Sequence, residues 1–596
     1  MSHYIDMQMK FIFTSIFFIF FLTYQAFNAQ TTNWAVSFGD IYIDTASDVA
    51  VDATGNVYAV GYFKGVVDFD PGPVYSPINT LNPNQTKGNL FCVKLDPNGN
   101  LIWVKQVGGV FQNDVSVVDQ NLDRFPKIAL DGAGNVYVSG IYDYRVDFDP
   151  SPNSTYFLPN TSTMYGTFQF LCKLTSNGNF VWAKQVGGND ISDCRFNNMK
   201  VDTAGNIYMA GNFITTIDFD PGPATFNMTS DIYSDMFFMK LNTNGDFVYA
   251  KQIGNSGKEQ RLEDLSINDQ NLYLTGNYRG LVDFDPGSST NNLDSSNGSD
   301  DIFVAKYNLT DGSFQWAKSF GSPTGWDAGY ALDSDSNGNV YCTGSFRGTV
   351  DFNPSTSAVN NMTSIGGMST YVLKLNSNGE FVWVKNFGAQ QGIYEYEEKS
   401  HDISVNGDRV FLTGYYLVQM VDGNGQPLFS STSGNYDISV IALTTDGNYF
   451  WGKGFGGGLE DRGLAIRFRK NTNDMILAGQ YKGIVNFSGI SLGTDPTSNY
   501  NAFVLKMNFD NLLSTNDTES HHNITVYPNP TTDIIHIDSK SKISKIEISS
   551  TDGKLILSKN INESSTIVNM HTLPSGVYLV NVITGEQNNF RKIIKK

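Results

Sequence analysis

One short pattern, Val-Tyr-x-x-Gly or a close variant, returns seven times between Trp34 and Met507 and dictates what this chain can become. Its glycines are Gly61, Gly140, Gly211, Gly276, Gly344, Gly414 and Gly479, spaced 79, 71, 65, 68, 70 and 65 residues apart. So steady a period marks a repeat architecture. Each copy has two halves. The first is a hairpin, as in Asp48 to Asp52, an Ala-Thr-Gly-Asn turn, then Val57 onward. The second runs on the plan Phe-Val-x-Lys-Leu-x-x-Asn-Gly-x-Phe-Val-Trp-x-Lys, clearest from Phe91 to Gly108 and Phe170 to Gly187. Its centre is Asn98-Gly99, Asn177-Gly178, Asn244-Gly245 or Asn378-Gly379, with Asp311-Gly312 and Asp446-Gly447 as variants. These dipeptides favour the positive φ angles of hairpin turns, and alternating apolar residues flank them. Two hairpins make four antiparallel strands, the size of one propeller blade.

The ends of the array sharpen this. The seventh copy stops after Phe503 to Met507 and has no Trp-containing fourth strand. That strand stands instead at the other end, as Trp34-Ala35-Val36-Ser37-Phe38-Gly39, matching Trp182 to Gly187 and Trp316 to Gly321. A ring closed by its own two ends needs such a split, and an open solenoid gains nothing from it. The expectation is an all-β chain: a seven-bladed β-propeller followed by a smaller domain. A glycine count of 57, 13 % aromatics and only 17 % charged residues agree with many short strands rather than long amphipathic helices.

Six of the seven tryptophans share one repeat position: Trp34, Trp103, Trp182, Trp316, Trp383 and Trp451, with Tyr249 in the third copy. An aromatic in every blade is expected to pack between neighbouring sheets, because a binding site breaks symmetry. Trp326, in the Gly-rich stretch Gly325 to Gly329, lies off that position and is the better candidate for an exposed contact.

Five copies carry Asp-Phe-Asp-Pro or a near variant after the second strand. The carboxylate pairs are Asp68 and Asp70, Asp147 and Asp149, Asp218 and Asp220, Asp283 and Asp285; the fifth copy has Asp351 and Asn353. Alternation puts the two acids on one face and the Phe on the other. The structural reading is an outer segment anchored by Phe, its acids and Pro blocking edge pairing. The competing reading is a Ca²⁺ site at these eight aspartates, which needs further oxygens from carbonyls, water or a neighbouring blade. Lysines two residues beyond the repeat aromatic (Lys105, Lys184, Lys251, Lys318, Lys385, Lys453) are expected to pair with the repeat aspartates.

No catalytic constellation emerges. Of six histidines only His401 falls in the repeats, so a Ser-His-Asp arrangement has to use Ser400, His401 and Asp402. Gly454 to Gly458 lacks the Lys-Ser/Thr of a phosphate loop. A net charge of −19 argues against nucleic acid or an anionic membrane as partner. Cys92, Cys172, Cys194 and Cys342 form no CxxC pair and are expected to be buried hydrophobes, with one disulfide, Cys172 to Cys194, as the alternative. Cys92 and Cys172 sit in equivalent strands offset by one position, so they face opposite sides. No cofactor other than structural Ca²⁺ is expected.

Residues 1–29 have the form of an export signal: Lys10, an apolar run from Phe11 to Leu22, and small residues ending at Ala29. No other stretch is apolar enough to span a bilayer, so the mature chain is expected to carry no transmembrane anchor. The propeller is assigned to 30–510, a polar linker to 511–522 and a last domain to 523–596, whose short alternating runs suggest a small immunoglobulin-like β-sandwich.

In that last domain, Tyr527-Pro528-Asn529-Pro530, then Ser550 to Lys554 with Gly553, and Leu573 to Val580 with Gly576 and Tyr578 resemble the type A sorting domain of the type IX (Por) secretion system. The resemblance implies Sec export, passage across the outer membrane of a Bacteroidetes-type bacterium with that machinery as partner, and release or display at the cell surface. The repeats resemble bacterial β-propeller proteins fused to such domains, a family with no one shared activity. The expected function is a monomeric, non-catalytic surface scaffold for adhesion to an unknown glycan or protein. The alternatives are an extracellular hydrolase with a carboxylate site and a structural component of a surface layer or gliding machinery.

Overall fold

The computed structural model describes residues 32–509 and 524–595, apart from 73–79, 82–87, 111–125, 144–145, 159–166, 188–193, 390–397, 494–498, 528–530, 551–554, 585–586 and single or paired residues elsewhere. The export signal and the linker expected from the sequence lie outside the described residues. The chain divides into two compact units, one ending at Asn508 and the other starting at Phe509.

Among the described residues the first unit holds seven antiparallel sheets, each with four principal strands. The first is Thr45–Val51, Val57–Lys64, Gly88–Leu95 and Leu101–Val110. Five more follow over residues 127–185, 194–253, 260–320, 328–389 and 398–455. The seventh takes Asp461–Phe468, Asp474–Tyr481 and Asn501–Asn508, and its fourth strand is Thr32–Phe38, paired from Trp34 with Lys506 to Phe38 with Ala502. Second and third strands are buried on both faces, as their near-continuous apolar sequence requires; Val57–Lys64 is an example. Most first strands carry a bulge at one shared place, where pairing skips from Ala46 to Asp48, from Leu262 to Asp264 and from Ser400 to Asp402. The hairpin glycines between third and fourth strands sit at positive φ (86° at Gly99, 74° at Gly178), where a side chain is strained.

Between the second and third strands lies a short outer hairpin, as in Thr216–Asp218 with Asn227–Thr229. In the sixth copy it is Gln419–Asp422 with Pro427–Ser430, which pairs onto the fourth strand of the fifth sheet and extends that sheet to six strands.

Apolar side chains meet in layers between successive sheets. One layer joins Tyr58, Val60 and Cys92 of the first sheet to Ile128, Val138 and Cys172 of the second. The one-position offset between Cys92 and Cys172 is what turns them toward each other's sheet. All four cysteines are buried thiols without a disulfide. Another layer joins Trp34, Val36 and Val504 of the seventh sheet to Val49, Val57 and Phe91 of the first, so the series closes on itself.

The second unit is one antiparallel sheet of five strands: Ile524–Tyr527, Ile534–Ser550, Leu555–Asn569, Gly576–Thr584 and Gln587–Lys595. Its 17-residue second strand breaks register between Asp538 and Ile543 and there exchanges Ile524–Tyr527 for Gly576–Thr584 as a neighbour. Ile535, Ile537, Ile546, Ile548, Val580 and Ile593 share its core.

Candidate functional site

The repeat residues are consumed by the joints between sheets. Trp103 donates its indole N–H to the Ser176 carbonyl at 3.2 Å, in the Asn-Gly turn of the next sheet. Trp316 does the same to Ser377 at 3.1 Å and Trp383 to Thr445 at 3.0 Å. Trp34 reaches Pro97 at 3.0 Å and so ties the seventh sheet to the first. A third-strand lysine joins the same carbonyl: Lys94 to Ser176 at 3.2 Å and Lys374 to Thr445 at 2.8 Å. Each of these ammonium groups also lies over the Tyr of Val-Tyr-x-x-Gly, Lys94 at 4.8 Å from the Tyr58 ring centre and Lys374 at 5.0 Å from Tyr341. The glycine of the turn is where a Cβ would strike the ring, 2.8 Å from Trp34 at Gly99 and from Trp383 at Gly447. The inter-sheet role expected for the repeated aromatic is thus the one observed.

The acidic motif folds its own hairpin. Asp218 accepts the backbone N–H of Asp220 at 3.0 Å and of Phe226 at 2.8 Å, and Asp220 accepts that of Gly222 at 2.7 Å. Asp283 takes Asp285 and Asn291, and Asp285 takes Gly287. Asp147 takes Asp149 and Tyr156, and Asp149 takes Ser151 and Ser154. Asp68 takes Asp70, and Asp70 takes Gly72. Each pair belongs to its own repeat. The Phe between them packs on its own second and third strands and on the preceding sheet, Phe352 lying 6.0 Å from Phe320, 5.4 Å from Phe346 and 5.1 Å from Tyr371. Among the described residues no three His, Cys, Asp or Glu side chains gather where one cation is held. The lysine pairing differs from expectation. Lys184 bonds Asp246 at 3.2 Å, in the third-to-fourth-strand turn of the next copy. Lys453 donates to Ser488 at 2.7 Å, the seventh-copy counterpart of the second motif acid.

A set of charges that sequence reasoning passed over lies on the first strands. Asp48 accepts the N–H of Ile128 at 3.1 Å, Asp264 that of Leu332 at 2.8 Å, Asp333 that of Val405 at 2.8 Å and Asp402 that of Ile466 at 2.8 Å. Each bond runs from one sheet to the first strand of the next. Between the third and fourth sheets the Asn198 side-chain amide donates to the Asp264 carboxylate. Arg467, on the seventh sheet, contacts Asp402 of the sixth and Asp48 of the first, the latter at 3.3 Å. Burial disfavours the Arg467 charge, and Asp402 and Asp48 more than offset this, raising its pKa. Burial pushes Asp264 up to about 6 against the pull of Lys200. These bonds commit Asp402 elsewhere than to His401, whose ring packs 5.3 Å from Tyr415. The position does not repeat: Asp48, Lys127, Asn198, Asp264, Ala331, Asp402 and Ala465 occupy it in turn.

A third group of carboxylates pins the sheet-to-sheet connections. Asp44 accepts Asp40 and Lys64 N–H groups at 2.9 Å each, Asp327 those of Ser322 and Arg347, and Asp461 those of Gly457 and Lys482. Burial pushes Asp44 and Asp461 up to about 8 and Asp327 to about 6, despite these donors. The folded chain therefore binds protons that the unfolded chain has released above about pH 4. The resulting stability is present below that pH and is lost as pH climbs toward 8. Asp52 sets the acid limit: against its burial cost, Asn56 and Thr54 hold its carboxyl below the ordinary range. The melting temperature is expected to be higher at pH 5 than at pH 8.5; a scan showing the reverse order refutes this balance.

In the second unit, Tyr578 is buried and donates to the Pro574 carbonyl at 2.7 Å, tying Pro574 to the strand Gly576–Thr584. Tyr527 bonds Asp538 at 2.7 Å and stacks on His536 at 5.3 Å. Pro528, Asn529, Pro530 and Gly553 lie outside the described residues. Residues 525–596 match the family described as secretion system C-terminal sorting domain. This unit is a sorting domain. It directs the chain to the cell surface through type IX secretion. The sorting domain accounts for the C-terminal unit alone. The chain is 24 % identical over 497 residues to an uncharacterized WD repeat-containing protein of Acanthamoeba polyphaga mimivirus. That match covers 70 % of this chain but only 34 % of the viral protein. Two solved structures align along most of the chain at 11 % identity. PorZ, an essential surface component of the type-IX secretion system of Porphyromonas gingivalis, aligns over 94 % of this chain and 100 % of its own, with a TM-score of 0.17. A family 43 arabinoxylan arabinofuranohydrolase from Bacillus subtilis aligns over 93 % and 95 %, with a TM-score of 0.23. Scores so low bear on neither fold nor activity. Among the described residues no helix is long and apolar enough to cross a membrane.

Proposed function

We propose that residues 32–509 form a seven-bladed β-propeller displayed by the sorting domain as a binding scaffold. The closure of the seventh sheet by Thr32–Phe38 supports the blade count, and the viral relative is itself named for WD repeats, which build propeller blades. The break in Ile534–Ser550 supports an immunoglobulin-like sandwich for the sorting domain, because one core draws on both halves of the strand.

The observation that carries the binding reading is the division of labour among side chains. The repeated Trp and Tyr, the third-strand Lys and the motif Asp residues serve joints and turns, which leaves recognition to residues that occur once. One carboxylate oxygen of each motif aspartate accepts backbone N–H groups of its own hairpin, and these bonds hold the turn without a cation. The purified chain is expected to bind a surface glycan or protein, equally well with added calcium or with chelator, and without turnover. Chelator-sensitive binding would favour the calcium reading of the eight motif aspartates. Hydrolysis of polysaccharide would favour the alternative of a carboxylate enzyme, for which the buried Asp264 is the acid to substitute. Self-assembly of the purified chain without ligand would favour a structural surface component.

A further inference from the structure

Six tryptophans occupy the repeat position and are buried or half-buried; Trp326 is 61 % exposed. It stands in the connection between the fourth and fifth sheets, flanked by two buried residues. Gly325 and Asp327 are buried. The Asp327 carboxylate accepts Ser322 N–H at 2.6 Å and Arg347 N–H at 2.8 Å, and its own N–H donates to the Asp300 carbonyl at 3.2 Å. A Cβ at position 325 would meet Ser322 Oγ at 2.2 Å and the Arg347 carbonyl at 2.6 Å, so only glycine lets the turn close. The indole thus projects from between two buried residues, the second of them tied by three hydrogen bonds, which limits the backbone ordering that a ligand has to impose.

Polar groups stand beside it. Trp326 and Asp300 pair as a parallel bridge, and bridged residues share a face. Asp300 is gripped by Arg279 in a two-pronged fork, Nε at 2.8 Å and Nη2 at 2.5 Å, with Asn277 adding a third donor at 3.2 Å. The Arg279 side chain remains 38 % exposed, so part of its guanidinium still faces solvent. The pair is neutral overall and selects for hydroxyl groups rather than for an anion.

We propose that Trp326, Arg279 and Asp300 form a binding site for neutral glycans. The indole face takes the apolar face of a pyranose ring, and the Arg–Asp fork takes adjacent hydroxyls of the same sugar. A protein hot spot sets its aromatic among apolar neighbours that exclude water; here the fixed neighbours are a charged pair and an amide. The net charge of −19 disfavours acidic polysaccharides. The site rests on the scaffold reading above and names its ligand class.

The test is a printed array of neutral and acidic oligosaccharides, probed with the whole chain and with four variants. Wild type is expected to bind neutral oligosaccharides. Trp326→Ala is expected to lose at least about tenfold and Arg279→Ala at least about fivefold, in line with stacking and charged hydrogen-bond energies. Trp326→Phe should retain part of the binding. Ile484→Ala, which removes another exposed apolar side chain in the seventh repeat, is the control and should bind as wild type. Trp326→Ala, Trp326→Phe and Ile484→Ala should melt as wild type, since each replaces an exposed side chain; Arg279→Ala strips the half-hidden Asp300 of its fork and should melt lower, so its binding is measured well below its own melting temperature. Neutral-sugar binding that survives Trp326→Ala overturns this site and leaves the scaffold reading standing. Binding confined to acidic sugars, or only to a protein partner, overturns the ligand class. A chain that binds no sugar and no protein overturns both.

Discussion

Replacing Arg467 by Ala is expected to lower the unfolding free energy by about 3–5 kcal/mol, the cost of stripping a buried carboxylate of its partner. The size follows from position. Arg467 contacts the carboxylates of two different sheets, Asp402 before it and Asp48 after it, and both acids are buried. Removing the guanidinium leaves two negative charges near each other inside the joint between the last and first sheets. Denaturant titration of R467A measures the loss. Adding Asp48→Asn and Asp402→Asn should recover a large part of it, because the amide oxygens still accept the Ile128 and Ile466 N–H groups while the repulsion is gone. An unchanged midpoint in R467A, or no recovery in the triple variant, would show that the joint does not depend on this charge.

Removing residues 525–596 is expected to abolish appearance at the cell surface, with the truncated chain accumulating inside the cell envelope. The removed residues are the whole match to the sorting family. They also form a unit with its own core around Ile546, Ile548, Val580 and Val582, so the truncation leaves the repeat sheets whole. Surface labelling of intact cells against total immunoblot signal reads the outcome. Normal labelling of the truncated chain would dissociate the domain from delivery. A milder variant, Tyr578→Ala, removes the bond to Pro574 and should reduce delivery without abolishing it.

What the sequence discloses is what it repeats. The Asn-Gly turns, the Trp position and the strand borrowed from residues 32–38 are visible because seven copies say the same thing, and backbone geometry demands those residue types each time. Trp326 is visible for the opposite reason, as the one tryptophan off the repeat position. The first-strand carboxylates are hidden. Asp48, Asp264 and Asp402 each bond a backbone N–H of a residue that carries no side-chain signature, and the position falls to Lys127, Asn198 or Ala331 in other copies. A pattern sought within a repeat does not reveal a partner in the next one. The same blindness explains Lys184, whose partner Asp246 belongs to the following copy rather than to an acidic motif.

The strand Thr32–Phe38 pairs with Asn501–Asn508, so the earliest described segment of the chain waits for nearly the last of the repeats. Every other sheet is completed by neighbours in sequence and forms as soon as its own four strands exist. The seventh remains a three-stranded edge until both ends meet, and closing so long a loop is slow although its entropic cost grows only with the logarithm of length. The unfinished molecule is therefore a chain of six sheets with an open seam, still pliable enough to be unravelled from that seam. The last pairing is expected to act as a commitment step: before it, the polypeptide can open from a free edge, and after it, opening first has to part Thr32–Phe38 from Asn501–Asn508.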